Sequence, residues 1–192
     1  MKTESTVKYI LRLTVTLLAI CAFVALALAG VNAITKDRIA AVKAEKTQKA
    51  IQAVLPQAGN VVEASSFEDE TGMVTKVYTA SLGDTAAFYG YAVEVVPSGF
   101  GGGITMMVGV DENGKVLGIS IISHAETPGL GAVASQNTDK GMAFRDQFVG
   151  LTAGITIGSG ENQIDSLSGA TISSQAIVDG VNAALQCIAN LG

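Results

Sequence analysis

A long apolar run lies near the start of the chain. From Leu13 to Val31, 19 consecutive residues carry no charge. A helix of that length spans roughly 29 Å, which matches the hydrocarbon core of a bilayer. We therefore expect a transmembrane helix within an N-terminal segment, residues 1–35. A cleaved signal peptide is the alternative, because Ala27-Leu28-Ala29 has the spacing of a cleavage site, although the run exceeds the usual apolar length of about 7–15 residues.

The pattern after this run is helical. Apolar residues recur there at mixed intervals of three and four, and lysines fill much of the remainder. This predicts a helical stalk over residues 36–56 that ends at Pro56. Its function would be to hold a domain away from the membrane. A polar break follows over residues 57–72.

The rest of the chain predicts a single domain, residues 57–192. It contains two amphipathic runs with helical spacing, Lys140–Phe148 and Ser173–Ala189. The strand-like runs are Val74–Thr79, Phe88–Val96, Ile104–Val110, Lys115–Ser123 and Ile155–Ile157. Consecutive strands joined by turns, with helices to one side, are typical of α+β domains. We therefore predict an α+β fold: one transmembrane helix with a stalk, then an antiparallel sheet and a C-terminal helix.

One hairpin has a specific turn signal. Asn113-Gly114 separates two of the strand-like runs. Asn-Gly favours a tight turn in which both residues have positive φ.

The charge is distributed unevenly. Residues 1–50 contain eight Lys and Arg and three Asp and Glu, whereas residues 51–192 contain four and fourteen. A body with a net charge of −10 is unsuited to neutralising phosphates. Nucleic-acid binding is therefore excluded, and the basic start suits a membrane surface.

Cysteine and histidine are sparse in this chain. Cys21, Cys187 and His124 are the only cysteines and the only histidine. Two distant cysteines make neither a zinc nor an iron–sulfur site. We expect no metal site and no catalytic residue of the chain's own, so redox chemistry would need an organic cofactor or other subunits. His124 alone predicts a loop residue at the end of a strand.

Two glycine-rich stretches are ambiguous. Residues 129–134 fit G-x-G-x-x-A formally, but a dinucleotide site needs a strand joined directly to a helix, and the neighbouring strands look antiparallel. Residues 98–103, between two strand-like runs, lack the Lys-Ser/Thr of a P-loop. They indicate either a tight turn or a close approach of backbone to a planar ligand.

The stretch from Asp165 to Ser174 leads directly into the C-terminal helix. Chemistry alone favours its Ser and Thr residues as N-caps. A phosphate bound by free N–H groups at the helix start, beside the Thr171 hydroxyl, is the alternative.

Two sequence motifs, residues 124–131 and 168–171, together resemble motifs of the FMN-binding domain family. Ser168-Gly169-Ala170-Thr171, following Asp165, is similar to the family's flavinylation motif, and residues 124–131 (His-Ala-Glu-Thr-Pro-Gly-Leu-Gly) are similar to its second signature. The order of anchor, stalk and motifs also agrees over the whole chain. At this length the chain is most similar to the G subunits of Rnf complexes, and the C subunits of sodium-pumping NADH:quinone reductases are longer relatives.

The resemblance implies a cofactor and its site. FMN would be attached covalently through a phosphoester to Thr171. Ser168, Gly169 and Ala170 would shape the phosphate site. The residues implied to contact the isoalloxazine ring or the ribityl chain are Glu126, Thr127, Gly129 and Leu130.

It also implies a role within a complex. The protein would relay electrons in an ion-translocating ferredoxin:NAD oxidoreductase, with other membrane and iron–sulfur subunits as partners and a flavin transferase for maturation. Its domain would lie on the extracytoplasmic side, whereas the Lys and Arg count around the span leans weakly toward a cytoplasmic domain. A stand-alone anchored flavin reductase, a C-type subunit, and a non-redox module in which Ser168–Thr171 only caps a helix remain the alternatives.

Overall fold

A computed structural model describes the backbone of residues 3–83 and 87–191 and the side chains of residues 7–83 and 87–191. It divides into two compact units, Met1–Glu45 and Lys46–Gly192. The described part of the first unit is helical and belongs to α1, which runs from Thr3 to Val54. From Val7 onward this helix is long and apolar enough to cross a membrane, and its apolar window is not buried. It contains the predicted span.

The second unit is built on a five-stranded antiparallel sheet. Its strands follow the order β1-β2-β3-β4-β5, so each pairs with its neighbour in sequence. The strands are β1 (Ala58–Glu63), β2 (Val74–Leu82), β3 (Phe88–Val95), β4 (Thr105–Asp111) and β5 (Val116–Ser123). After β5 come a 3₁₀ turn (Gly131–Ser135), α2 (Asp139–Asp146), the parallel pair β6 (Thr156–Ile157) and β7 (Gln163–Ile164), and α3 (Thr171–Ala189). The predicted α+β architecture is confirmed.

The C-terminal helix covers one face of the sheet. Ile177 and Val181 of α3 are fully buried in one cluster with Val93 and Val95 of β3. A Cβ atom on Gly180 would lie 2.5 Å from the terminal methyl carbon of Met106, so the helix lies directly on the sheet. Burial of each of these side chains contributes about 1.5–3 kcal/mol. This packing fixes the start of α3 relative to the strands.

The last turns of α1 cover the opposite face. Ile51 and Val54 of these turns, and Leu55 directly after the helix, are buried in a second cluster with Ala92 and Met107. The second compact unit therefore begins at Lys46 and includes the end of the segment that the sequence suggested as a stalk. These turns are apolar on the side that meets the sheet, which is why they pack there.

The Asn-Gly hairpin forms, but the predicted turn is wrong in one respect. Gly114 has φ +73°, whereas Asn113 does not have a positive φ. The reason is Asp111, whose Oδ1 accepts hydrogen bonds from the N–H groups of Asn113 and Lys115, each at 2.8 Å. The carboxylate holds the turn in a form that needs only one left-handed residue.

Candidate functional site

An open pocket of about 390 Å³ lies at the start of α3. It joins the two sequence motifs: Thr127 and Leu130 come from the loop after β5, and Gly169, Ala170 and Thr171 come from the turn into α3. The other lining residues are Phe100, Gly131, Ile172 and Ser173.

The first turn of α3 has no side-chain cap. Ala170 is the N-cap residue, Thr171 is the first helical residue, and the first helical bond runs from the Ser174 N–H to the Ala170 carbonyl at 2.9 Å. The expectation that Ser or Thr caps this helix is wrong. The N–H groups of residues 171–173 have no partner within the helix, and no acidic side chain lies in the first turn. This end of the helix therefore offers a partial positive charge and free donors to an anion.

A tight turn presents Thr171 to the pocket. Gly169 has φ +74°, a conformation that favours glycine, and the Ala170 N–H donates to the Leu167 carbonyl at 2.9 Å. Ser174 closes the turn from inside, because its Oγ accepts from the Leu167 N–H at 2.9 Å and donates to the Ala170 carbonyl at 3.0 Å. Thr171 itself is exposed, so its hydroxyl is accessible to a ligand or to an enzyme.

Glu126 lies beneath the pocket rather than in its wall. Its side chain is only 6% exposed. Oε1 accepts a hydrogen bond from the Gly101 N–H at 2.8 Å, and Oε2 accepts one from the Ser173 hydroxyl at 2.5 Å. The carboxylate therefore faces the protein's own donors.

His124 supports the same loop from the end of β5. Its Nδ1 accepts from the Glu126 N–H at 3.1 Å, so Nε2 carries the ring proton and donates to the Ser135 Oγ at 2.8 Å. Ser135 in turn donates to the Ala132 carbonyl at 2.9 Å. The histidine thus has the structural loop position that the sequence predicted.

The pocket wall is apolar apart from hydroxyl and backbone groups. Three large apolar side chains, Phe100, Leu130 and Ile172, line it and are exposed, Phe100 to 71%. The lining contains no ionisable side chain. Such a wall suits a planar, largely apolar ring, and it provides neither a proton donor nor a proton acceptor that titrates near neutral pH.

Part of this site was beyond the sequence motifs. The motifs assign no ligand contact to the Phe100 ring, to Ile172 or to Ser173. Helical spacing could have found Ser173, because it lies on the same face of α3 as Ile177. Ser168 and Gly129 flank the lining residues in sequence, and Glu126 is set behind them.

Known proteins share nearly the whole length of this chain. The G subunit of an ion-translocating oxidoreductase complex of Methanosarcina acetivorans is 32% identical over 184 residues, which cover 94% of this chain and 95% of that protein. The G subunit of the Na(+)-translocating ferredoxin:NAD(+) oxidoreductase complex of Acetobacterium woodii is 34% identical over 202 residues, with coverages of 96% and 94%. The chain belongs to this family of G subunits.

The family's domain covers the site. The FMN-binding domain matches residues 99–186, which begin in the Gly-rich loop and include both motifs. A further G-subunit relative, from Clostridium ljungdahlii and named as proton-translocating, is 40% identical over 96 residues, which cover 50% of this chain and 51% of that protein. The crystal structure of the C subunit of a Na(+)-translocating NADH-quinone reductase from Parabacteroides distasonis covers 60% of this chain and 59% of its own, at a TM-score of 0.45 and 20% identity. A likeness at that level does not bear on function.

The pocket of this G-subunit chain fits a flavin mononucleotide on chemical grounds. The uncapped N–H groups at the start of α3 suit its phosphate, and the apolar wall suits its ring. The two features adjoin at Thr171 and Ile172, as a ligand with one anionic and one apolar end requires.

Proposed function

We propose that the chain is a membrane-anchored flavoprotein subunit that relays electrons within an ion-translocating ferredoxin:NAD oxidoreductase complex. The observation that carries this is the position of Thr171, exposed at an uncapped helix start in the wall of an apolar pocket, inside the region that matches the FMN-binding domain. FMN, when bound, supplies the electron-transfer chemistry, and the protein supplies position and electrostatics.

The proposal assigns the attachment to Thr171. Its Oγ1 would form a phosphoester with FMN, with the overall loss of one water. Ser168, Gly169 and Ala170 would shape the turn around the phosphate, and the N–H groups of residues 171–173 would donate to its oxygens.

The charge around the pocket supports a covalent link. The cations of residues 51–192 are Lys76, Lys115, Lys140 and Arg145, and none of them lines the pocket. The guanidinium of Arg145 is bonded to the carbonyls of Ala134 and Gln136. A free phosphate monoester carries nearly two negative charges near neutral pH, whereas a diester carries one. Helix N–H groups without a cation are better matched to the single charge.

The ring contacts are proposed for the loop after β5. Leu130 and Thr127 line the pocket and would contact the isoalloxazine or the ribityl chain, and Gly129 would allow the loop its close approach. The resemblance implied that Glu126 contacts the flavin, but its burial supports a role behind the pocket wall.

A relay is favoured over a stand-alone reductase because of what lines the pocket. A reductase with its own small substrate needs acid–base groups near the flavin, and the lining contains no ionisable side chain. Electrons would therefore arrive from and leave to partner subunits, among them membrane and iron–sulfur subunits of the same complex.

The proposal places the domain outside the cytoplasm. Three basic residues, Lys2, Lys8 and Arg12, precede the span and can anchor that end in the cytoplasm. A flavin transferase acting on that side would reach Thr171, because the side chain is exposed. A covalent link would also prevent loss of the cofactor there.

The relay is tested in membranes that lack the native protein. Complementation with the wild-type chain should restore ferredoxin-dependent NAD reduction, and Thr171→Val should not. Thr152→Val, an exposed threonine outside the pocket, is the matched control and should restore it. Full activity with Thr171→Val would contradict the proposal, as would turnover of NADH and small acceptors by the isolated wild-type protein.

A further inference from the structure

Three segments that are distant in sequence meet beneath the pocket at one carboxylate. Glu126 accepts a hydrogen bond from Gly101 of the Gly-rich loop and another from Ser173 in the first turn of α3. These partners are 25 and 47 residues away along the chain. The same side chain therefore connects the loop after β5, the Gly-rich loop and the helix start.

Two glycines pack closely against the carboxylate. A Cβ atom on Gly99 would lie 2.4 Å from Oε1, and one on Gly131 would lie 2.5 Å from Oε2. Both oxygens are acceptors, and among the described residues no cation lies within ion-pair distance of Glu126. A buried carboxylate without a cation nearby is stabilised by the donors that it has. Loss of either donor therefore destabilises the folded protein.

The bond to Gly101 lies next to an aromatic side chain in the sequence. Phe100 precedes Gly101 at the tip of the Gly-rich loop, and its ring lines the pocket while remaining exposed. The loop is otherwise closed by the hydrogen bond from the Gly99 N–H to the Gly102 carbonyl at 2.8 Å and by the bridge between Ser98 and Gly103. Glycines give such a loop many accessible conformations, so a hydrogen bond from outside the loop favours one of them.

We propose that Glu126 is a positioning residue for the flavin. Its carboxylate ties the Phe100 loop to the first turn of α3, and it thereby holds the apolar wall in a fixed position relative to the end of the pocket that takes the phosphate. Glu126 acts through Phe100 and Ser173 and does not contact the flavin ring. This inference rests on the proposed function, since it assigns the pocket to FMN.

The tie itself is tested without flavin. Amide exchange is measured on the full-length Thr171→Val chain in detergent, in the peptide that contains Gly101. Glu126→Gln offers one acceptor oxygen to two donors, so we expect exchange about fivefold faster, the ratio equivalent to a net hydrogen bond of about 1 kcal/mol. Glu94→Gln is the matched control: Glu94 is 4% exposed, accepts from the Thr75 hydroxyl at 3.1 Å, and lies in β3. Equal exchange in the two variants would overturn the tie.

Its effect on the flavin is tested on the flavinylated full-length protein. Quenching of flavin fluorescence by acrylamide, a neutral molecule, should increase in Ser173→Ala, in Glu126→Gln and in Phe100→Ala, and should be unchanged in Glu94→Gln. The double variant Phe100→Ala/Ser173→Ala should be no more quenched than Phe100→Ala. Additive effects, or unchanged quenching in Ser173→Ala, would overturn the positioning role. If the wild type took up no flavin, the proposed function would fail instead, and the exchange measurement would still decide the tie.

Discussion

Gly131 lies so close to Ser173 that a Cβ atom there would be 2.5 Å from the serine Oγ. The same atom would lie 2.5 Å from Oε2 of Glu126. Neither neighbour can retreat, because both are buried and bonded to each other. The contact places the end of the 124–131 segment against the first turn of α3. It explains why position 131 requires a glycine.

Gly131→Ala should therefore destabilise the domain. Overpacking at a site of this kind costs about 1–3 kcal/mol. The free energy of unfolding, measured by urea titration in detergent, gives this value directly. Gly118→Ala is the control, since its nearest contact would be an ordinary 3.8 Å from the Cα of Val54. A Gly131→Ala variant as stable as Gly118→Ala would contradict the packing.

The last turns of α1 and the residue that follows them should stabilise the domain. Leu55 is 1% exposed, and Leu55→Ala should cost about 2–5 kcal/mol of unfolding free energy. Leu82→Ala, at a side chain that is 40% exposed, should cost clearly less. For the same reason a fragment that begins at Lys46 should melt at a higher temperature than one that begins at Gln57. Equal melting temperatures would show that the α1 turns do not contribute.

Acid should weaken the fold through Asp69. Burial raises the pKa of this carboxyl, but hydrogen bonds from the Thr71 hydroxyl and from the N–H groups of Val74, Thr71 and Gly72 outweigh it and hold the pKa below the ordinary 3.8. A lowered folded-state pKa stabilises the protein above the ordinary value, and this stability is lost as the pH falls below about 4. Unfolding free energy should therefore fall less between pH 5 and pH 3 in Asp69→Asn than in the wild type. Glu112→Gln, at an exposed turn position, is the control. Its unfolding free energy should decrease over this pH range as much as that of the wild type.

The side of the membrane is tested by fusions after Gly192. We expect an alkaline phosphatase fusion to be active and a green fluorescent protein fusion to be dark, because the former folds outside the cytoplasm and the latter within it. The reverse pattern would place Thr171 in the cytoplasm and would contradict an extracytoplasmic flavin transferase.

The sequence predicted the elements that have strong periodicity. The four strands from Val74 to Ser123 and both later helices lie where alternation or helical spacing indicated. β1 was missed within the polar break, because it is an edge strand that contains Gly59 and Asn60 and has no alternating apolar side. β7 is only two residues long, which is too short for any period to register.

The site was less accessible to sequence reasoning than the fold. The motifs located the turn before α3 and the loop that carries Leu130. Each contains a glycine with a positive φ, Gly169 in the turn and Gly129 in the loop. They could not show that Glu126 turns away from the pocket, because its direction depends on donors from Gly101 and Ser173 that meet it only in the folded chain. The sequence also could not show that the N-cap residue of α3 is Ala170, which has no side chain able to cap the helix. The nearby Ser174 hydroxyl bonds to the Ala170 carbonyl instead of capping the helix.

The intact mass of the denatured protein shows whether FMN is attached covalently to Thr171. Wild type and Thr171→Val are each co-expressed with a flavin transferase, and a protein known to accept flavin verifies the transferase. We expect the wild type to gain the mass of one FMN less one water and the variant to gain nothing. An unmodified wild type beside a modified control protein would show that Thr171 does not carry FMN, and so would the same gain in mass in both chains.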